Sequence, residues 1–269
     1  MIHYKAHTLY LIIIRLWPNI VASKYVMIKA VITGDIVQSS KLDPGDKSWL
    51  IRSLKKTLKQ WDKDFGTESE IYRGDSFQCL VSDPMYALRF ALLIRTYIKS
   101  LNPSEPYDIY SRENPEIRKA VLHTNWLFDT RVAIGIGEVD NPMESVKTSD
   151  GEAFQLSGRK LDEIKNSRQM MAIEVNDSDI NEELKTEIIL LDHIVSRATA
   201  LQCEVINLKL LSYTENKIAR EFKIQQSAVN QRSNSSGWYA INTALERFET
   251  IYRTGESISF QDLIDHNNG

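Results

Sequence analysis

Three short stretches hold residues whose types and spacing suit chemistry. "VITGDIVQSS", Val31 to Ser40, runs as an apolar strand and then carries an acid, Asp35, to its end. "YRGDSFQ" sets a second acid, Asp75, in a Gly-Asp turn. "GEAFQLSGR", Gly151 to Arg159, spaces Gln155 and Arg159 one helical turn apart, on one face near a helix start. Two carboxylates held close together repel unless a divalent cation lies between them, which is the logic of metal-assisted phosphoryl transfer. Magnesium prefers such oxygen ligands and keeps the rest of its shell for water and nucleotide phosphates. An amide and a guanidinium on one helix face can hold a ribose and a phosphate. Each residue also has a plainer explanation. Asp35 can cap the end of a strand, Gly74-Asp75 can be a routine hairpin turn, and Arg159 can pair with Asp162 or Glu163. Taken together, their order and spacing favour a site for metal and anion.

The elements that must position these residues follow from periodicity. Ile28 to Asp35 reads as a buried strand. A Pro-Gly turn then leads into a helix with Leu50, Leu54, Leu58 and Trp61 along one face. "SEIYRGDSFQCLVSD" predicts two short strands around Gly74-Asp75, and "PMYALRFALLIRTYIKSL" a second amphipathic helix with Pro84 in its first turn. Residues 102 to 128 are polar and irregular and read as an insertion, with a short helix over Pro115 to His123. "TRVAIGIGEV" predicts a strand, "DGEAFQLSGRKLDEIKN" a helix and "QMMAIEV" a final strand. The order β-α-β-β-α-β-α-β implies an α+β, ferredoxin-like layout: a mainly antiparallel sheet with helices on one face. In this arrangement the first strand lies beside the hairpin, which brings Asp35 and Asp75 together.

"GDIVQS", "RGDSF", "RVAIGIGEV" and "GEAFQLSGR", in this order, resemble the core of class III nucleotidyl cyclases. The resemblance spans roughly residues 28 to 175. It implies a nucleotidyl cyclase-like domain in which Asp35 and Asp75 bind Mg2+ or Mn2+. It implies that Arg159, and Gln155 in place of an asparagine, steady the reacting phosphates as catalytic residues. Nucleotide contacts are implied at Ile36, Arg73, Gly74, Asp150 and Gly151. Cyclases usually read the purine with a lysine before "GDSF"; Tyr72 and Arg73 stand there instead, and Asp150 lies close to the second base-reading acid. A metal-and-phosphate site without standard base readers points to nucleotide binding more than to cyclisation. The whole pattern, helical tail included, is similar to the bacterial SatD family, which carries "TGDIVxS", "RGDSFQ" and "DGEAFxLSGR" in this layout.

After Asp177 the strand pattern gives way to helices, so a domain boundary is expected near residues 176 to 186. The organisation expected is an extension over 1–26, a nucleotide- and metal-binding domain over 27–176, a helical domain over 187–254 and a tail over 255–269. "YTENKIAREFKIQQSAVNQRSNSSGW" has helix-turn-helix character. Thr214 caps a helix over Glu215 to Phe222, and a tight turn leads into a second helix burying Ala228 and Val229. That second helix is expected to expose Gln225, Gln226, Ser227, Asn230, Gln231 and Arg232, side chains of the kind that read base edges in DNA. Basic residues outnumber acidic ones from Lys209 to Arg232. The alternative is a helical hairpin used only for packing or dimerisation. The stripe Trp238, Ile241, Leu245, Phe248 and Tyr252 reads as core or as a dimer face.

Composition bounds these readings. With 42% hydrophobic and 26% charged residues in 269, the chain reads as an ordinary globular protein able to bury its own core. A net charge of -3 gives no overall attraction to nucleic acid or anionic membrane, so any such binding needs a local patch. Cys79 and Cys203 have no metal-ligand spacing and fit reduced thiols in a cytoplasmic protein. The apolar run Leu9 to Ile14 falls far short of the roughly 20 residues needed to span a bilayer. Residues 1 to 26 read as a dispensable extension, with Met27 as a candidate start. Two functions are carried forward. One is a nucleotide-responsive DNA-binding regulator, working as a homodimer. The other is a metal-dependent nucleotidyl cyclase or nucleotidyltransferase whose tail serves dimerisation or recruitment.

Overall fold

The computed structural model describes residues 27–72, 74–101, 128–139, 151–255 and 257–267. The amino-terminal extension, Arg73, Asp150 and nearly all of the expected insertion lie outside the described residues. β1 (Met27–Ile36) is the central strand, antiparallel to β3 (Ser76–Val81) on one side and to β4 (Thr130–Val139) on the other. β2 (Glu68–Tyr72) pairs antiparallel with β3, and β5 (Met171–Val175) lies parallel to β4. Among the described residues the sheet has five strands in the order β2-β3-β1-β4-β5. The fold is therefore α+β with a mostly antiparallel sheet, as the alternation of elements implied.

Among the described residues three α-helices belong to this part of the chain: α1 (Pro44–Phe65), α2 (Ala87–Ser100) and α3 (Glu152–Ile164). Parallel strands cannot be joined by a tight turn, and α3 supplies the crossover from β4 to β5. The expectation that the helices share one face is corrected. Ala30 and Ile32 of β1 pack with α1 and α2, whereas Val31 packs with Ala153 and Phe154 of α3. Alternate strand residues face opposite ways, so α3 lies on the opposite face of the sheet. Covered on both sides, β1 reads as a continuous apolar run and is buried from Lys29 to Gly34.

The helical remainder comprises α4 (Ser178–Arg197), α5 (Ala200–Leu210), α6 (Glu215–Glu221), α7 (Gln226–Ser235), α8 (Trp238–Tyr252) and α9 (Phe260–Asn267). Between α4 and α5 the helix breaks at Ala198. There Thr199 caps α5 in a reciprocal capping box with Gln202. One apolar cluster runs from β1 through Leu92 and Ile94 of α2 to Leu184, Ile206, Ile241, Leu245 and Phe248. Ile241, Leu245 and Phe248 of the aromatic-aliphatic stripe are thus core. α9, which the periodicity did not predict, buries Phe260 against Phe65, Tyr86 and Phe90. Both cysteines are free and buried, and burial pushes each thiol up to about 12. No helix among the described residues is long and apolar enough to cross a membrane.

Candidate functional site

Asp35 is the last residue of β1 but one, and it shares a face with Val31 and Thr33. Thr33 is hydrogen-bonded to Ser157 of α3 at 2.8 Å, which identifies that face as the one α3 covers. In the antiparallel register Asp35 lies between Ser76 of β3 and Arg131 of β4. Arg131 Nη1 lies 3.1 Å from Asp35 Oδ1 and 3.4 Å from Oδ2. Asp35 thus pairs with a neighbouring strand, and no turn amide caps on its carboxylate among the described residues.

Asp75 reaches the same end of the sheet through the hairpin between β2 and β3. Gly74 has φ of 84°, a left-handed conformation that the tight turn requires and glycine adopts freely. The Asp75 carbonyl accepts a hydrogen bond from the Ile36 amide at 3.1 Å, and its carboxylate accepts one from the Ser39 hydroxyl. On the other side, Thr130 Oγ1 donates to the Asp35 carbonyl at 2.6 Å and the Val37 amide donates to the Asp129 carbonyl at 2.9 Å. The chain leaving β1 is therefore held by both neighbouring strands. Lys165, just past α3, is held protonated above its ordinary range by its hydrogen bond to Asp162, with smaller pulls from Asp35 and Tyr72. The carboxy-terminal end of α3 therefore borders this site.

Gln155 and Arg159 do not join it within one chain. The inner face of α3 is Ala153, Phe154, Leu156, Ser157, Leu161 and Ile164, and Gln155 and Arg159 are exposed on the outer face. The alternative pairing for Arg159 is also absent, because Asp162 pairs with Lys165 and Glu163 with Lys160. Among the described residues Arg159 has no ion-pair partner. Gly151 precedes α3 and bridges to Val139, at the opposite end of β4 from Arg131. Ile36 is buried, and meets the site through its amide. The structure thus brings together Asp35, Asp75 and the Ile36 backbone, and adds Arg131 and Ser39, which sequence reasoning missed. Arg131 begins the face Arg131, Ala133, Gly135 and Gly137, but only the β1–β4 register sets it across from Asp35.

Two acids lie at this end of the sheet, Asp35 in β1 held by Arg131 and Asp75 in the turn held by Ser39, and each offers hard carboxylate oxygen. That fits magnesium, which is commonly held by one or two carboxylates and completes its shell with water and phosphate. Among the described residues no cluster of three or more His, Cys, Asp or Glu could enclose a metal on its own. A cation here would need oxygens from a ligand.

At the helical end, α6 and α7 meet across the turn from Phe222 to Gln225, with Thr214 capping α6. Val205, Ile218, Ala219 and Val229 form their core, while Ala228 is only partly buried. The expected exposed face of α7 needs correction at Arg232 alone. Gln226 and Asn230 both donate to Glu215 Oε2, at 2.5 and 3.4 Å. Arg232 is half-buried with Nη1 4.0 Å from Glu204. Gln226 and Asn230 are exposed, as expected, with their amides bonded to Glu215 at the surface, and only Arg232 is drawn in, toward Glu204 of α5. Gln225, Ser227 and Gln231 are exposed as well, with no side-chain bond of this kind among the described residues.

No protein-family profile and no curated protein matches the chain. Among solved structures it is similar to a bacterial light-regulated adenylyl cyclase, with 18% identity, 55% of this chain and 76% of that one covered, and a TM-score of 0.39. A second structure of a bacterial light-regulated adenylyl cyclase matches at 16% identity over 63% of this chain and 52% of its own, TM-score 0.39. A guanylyl cyclase matches at 17% identity over 51% and 70%, TM-score 0.32.

Proposed function

We propose that this protein binds a nucleotide together with Mg2+ or Mn2+ at the Asp35–Asp75 end of the sheet, and that binding regulates what its helices do. The observation that carries this reading is that Asp35, near the end of β1, and Asp75, in the turn that opens β3, reach the same end of the sheet, with main-chain hydrogen bonds holding the backbone at both. A bound cation would supply neutralisation of the phosphate charge. The protein's own part is to hold two carboxylates at a fixed separation. The motif order that resembles class III cyclases and the SatD family supports the same assignment. Sensing is favoured over turnover because Gln155 and Arg159 point away from the carboxylates of their own chain.

A second reading rests on the absence of any ion-pair partner for Arg159 among the described residues. In a homodimer, α3 of one copy can present Gln155 and Arg159 to the carboxylates of the other, which would make the protein a cyclase or nucleotidyltransferase. For the helices, Gln225, Ser227 and Gln231 remain available to a DNA groove, whereas Gln226, Asn230 and Arg232 are engaged within the chain. Gel shifts with the Q225A/Q231A variant on DNA upstream of its own coding sequence test that role.

Melting temperature separates the main alternatives. ATP or GTP should raise it only with Mg2+ or Mn2+ present, since a ligand at a hundred times its Kd stabilises by about 2.7 kcal/mol. D75N and D35A should lose the shift. Equal shifts in all samples would remove the metal site from the assignment. Recovery of intact triphosphate after incubation supports sensing, and consumption that D35A abolishes supports the enzyme.

A further inference from the structure

Arg131 and Asp35 face each other across the β1–β4 ladder, both largely buried, with side chains 18% and 14% exposed. An arginine built to close a structural ion pair usually offers a fork, two nitrogens to two oxygens. Arg131 instead turns one nitrogen, Nη1, toward both Asp35 oxygens, at 3.1 and 3.4 Å. Its Nε is buried and has no hydrogen-bond partner among the described residues. A buried donor without an acceptor is costly, and native structures seldom leave one idle without a use. Asp75, by contrast, is engaged by a neutral hydroxyl, that of Ser39. One carboxylate of the pair is therefore charge-neutralised and the other is not.

We propose that Arg131 is the resident counter-cation of Asp35, that a divalent ion displaces it, and that the freed guanidinium then grips the phosphates arriving with that ion. This rests on the reading of Asp35 as a metal ligand. A guanidinium and a divalent cation repel, so they cannot share the same two carboxylate oxygens at close range. Phosphate oxygens remove the conflict, because they accept from the idle Nε and the second terminal nitrogen while lying against the cation. The consequence is coupling. The free protein binds the cation weakly, and cation and phosphate promote each other's binding by the same factor.

The probes are Mn2+ alone, followed by the resonance signal of the free ion, and inorganic triphosphate with Mn2+, followed by calorimetry. R131Q should bind Mn2+ alone at least tenfold tighter than wild type, and triphosphate with Mn2+ at least tenfold weaker. R131K keeps the charge without the fork, so it should bind Mn2+ as wild type does and still lose triphosphate affinity. D35N should bind no Mn2+ at this site. If wild type binds Mn2+, D35N does not, and R131Q matches wild type, the metal site stands and the role of Arg131 is overturned. If neither wild type nor R131Q takes up Mn2+ with or without triphosphate, or D35N binds as well as they do, the metal reading itself falls and this inference with it.

Discussion

Glu187 of α4 keeps one carboxylate oxygen buried without a hydrogen-bond partner among the described residues. Burial pushes its carboxyl up to about 7; Glu183 adds to the rise and Arg247 opposes it. Arg247 opposes it only in part, since its Nε is hydrogen-bonded to Glu183 at 2.8 Å. A raised value in the folded state means that the native protein holds this proton more tightly than the unfolded chain does. The stabilising contribution is complete below the ordinary carboxylate value of 4.5 and is lost as pH rises through about 7. Wild type should therefore lose about 1 kcal/mol across that window from this group, a figure kept low because the side chain is only half-buried. E187Q should flatten the slope in urea denaturation at each pH. An unchanged slope in E187Q would place the effect elsewhere.

The element on which the site leans most is α3, and its closeness to the sheet depends on Gly135. A Cβ at Gly135 would lie 2.3 Å from the Ala153 carbonyl oxygen and 2.5 Å from the Ser157 nitrogen, both rigid backbone. G135A should lift α3, disturb the Thr33–Ser157 hydrogen bond and cost about 1–3 kcal/mol, as overpacking does. Gly158, on the same helix, has open space where its Cβ would go. G158A should hold stability or raise it by up to about 1 kcal/mol, because alanine favours a helix over glycine. Thermal melts of the two variants side by side check the claim, and equal losses would refute it.

Across the whole molecule, α2 ties sheet to helices. It is buried on almost every side, between the sheet and α5. Arg95 of α2, fully buried, pairs with Asp129 before β4 and Asp192 of α4 at 3.1 and 2.6 Å. Burial works against its charge, but these two carboxylates outweigh that cost and hold it protonated above the ordinary arginine range. Asn207 of α5 donates to the Leu93 carbonyl and to Thr96 Oγ1 at 2.8 and 3.0 Å. A shared core and shared buried polar groups predict one cooperative unfolding transition, with ellipticity and tryptophan fluorescence coincident. A chain ending after Val175 should fail to fold, since it bares the α5 side of α2. Two separate transitions, or a well-folded truncation, would show that the helices are an independent unit.

Much of this was legible without coordinates. Strand and helix periodicity placed the sheet elements and the core stripes of α1 and α8, because those signals are local. The turn chemistry of Gly74-Asp75 and the cap at Thr214 were local too. The meeting of Asp35 with Asp75 needed only the order of elements, since a hairpin pairs beside the first strand in this layout. What distance in the chain hid was decided by tertiary structure. The side of the sheet that α3 covers follows from strand parity and from the absent side chain at Gly135. Arg131 became the partner of Asp35 through a register joining residues far apart in sequence. Arg232 was exposed in a helical projection but lies half-buried beside Glu204, and Gln226 and Asn230, though exposed, bond to Glu215. Side-chain type and spacing are written in the chain, but the partner that satisfies a charge is chosen only when separate elements come into contact.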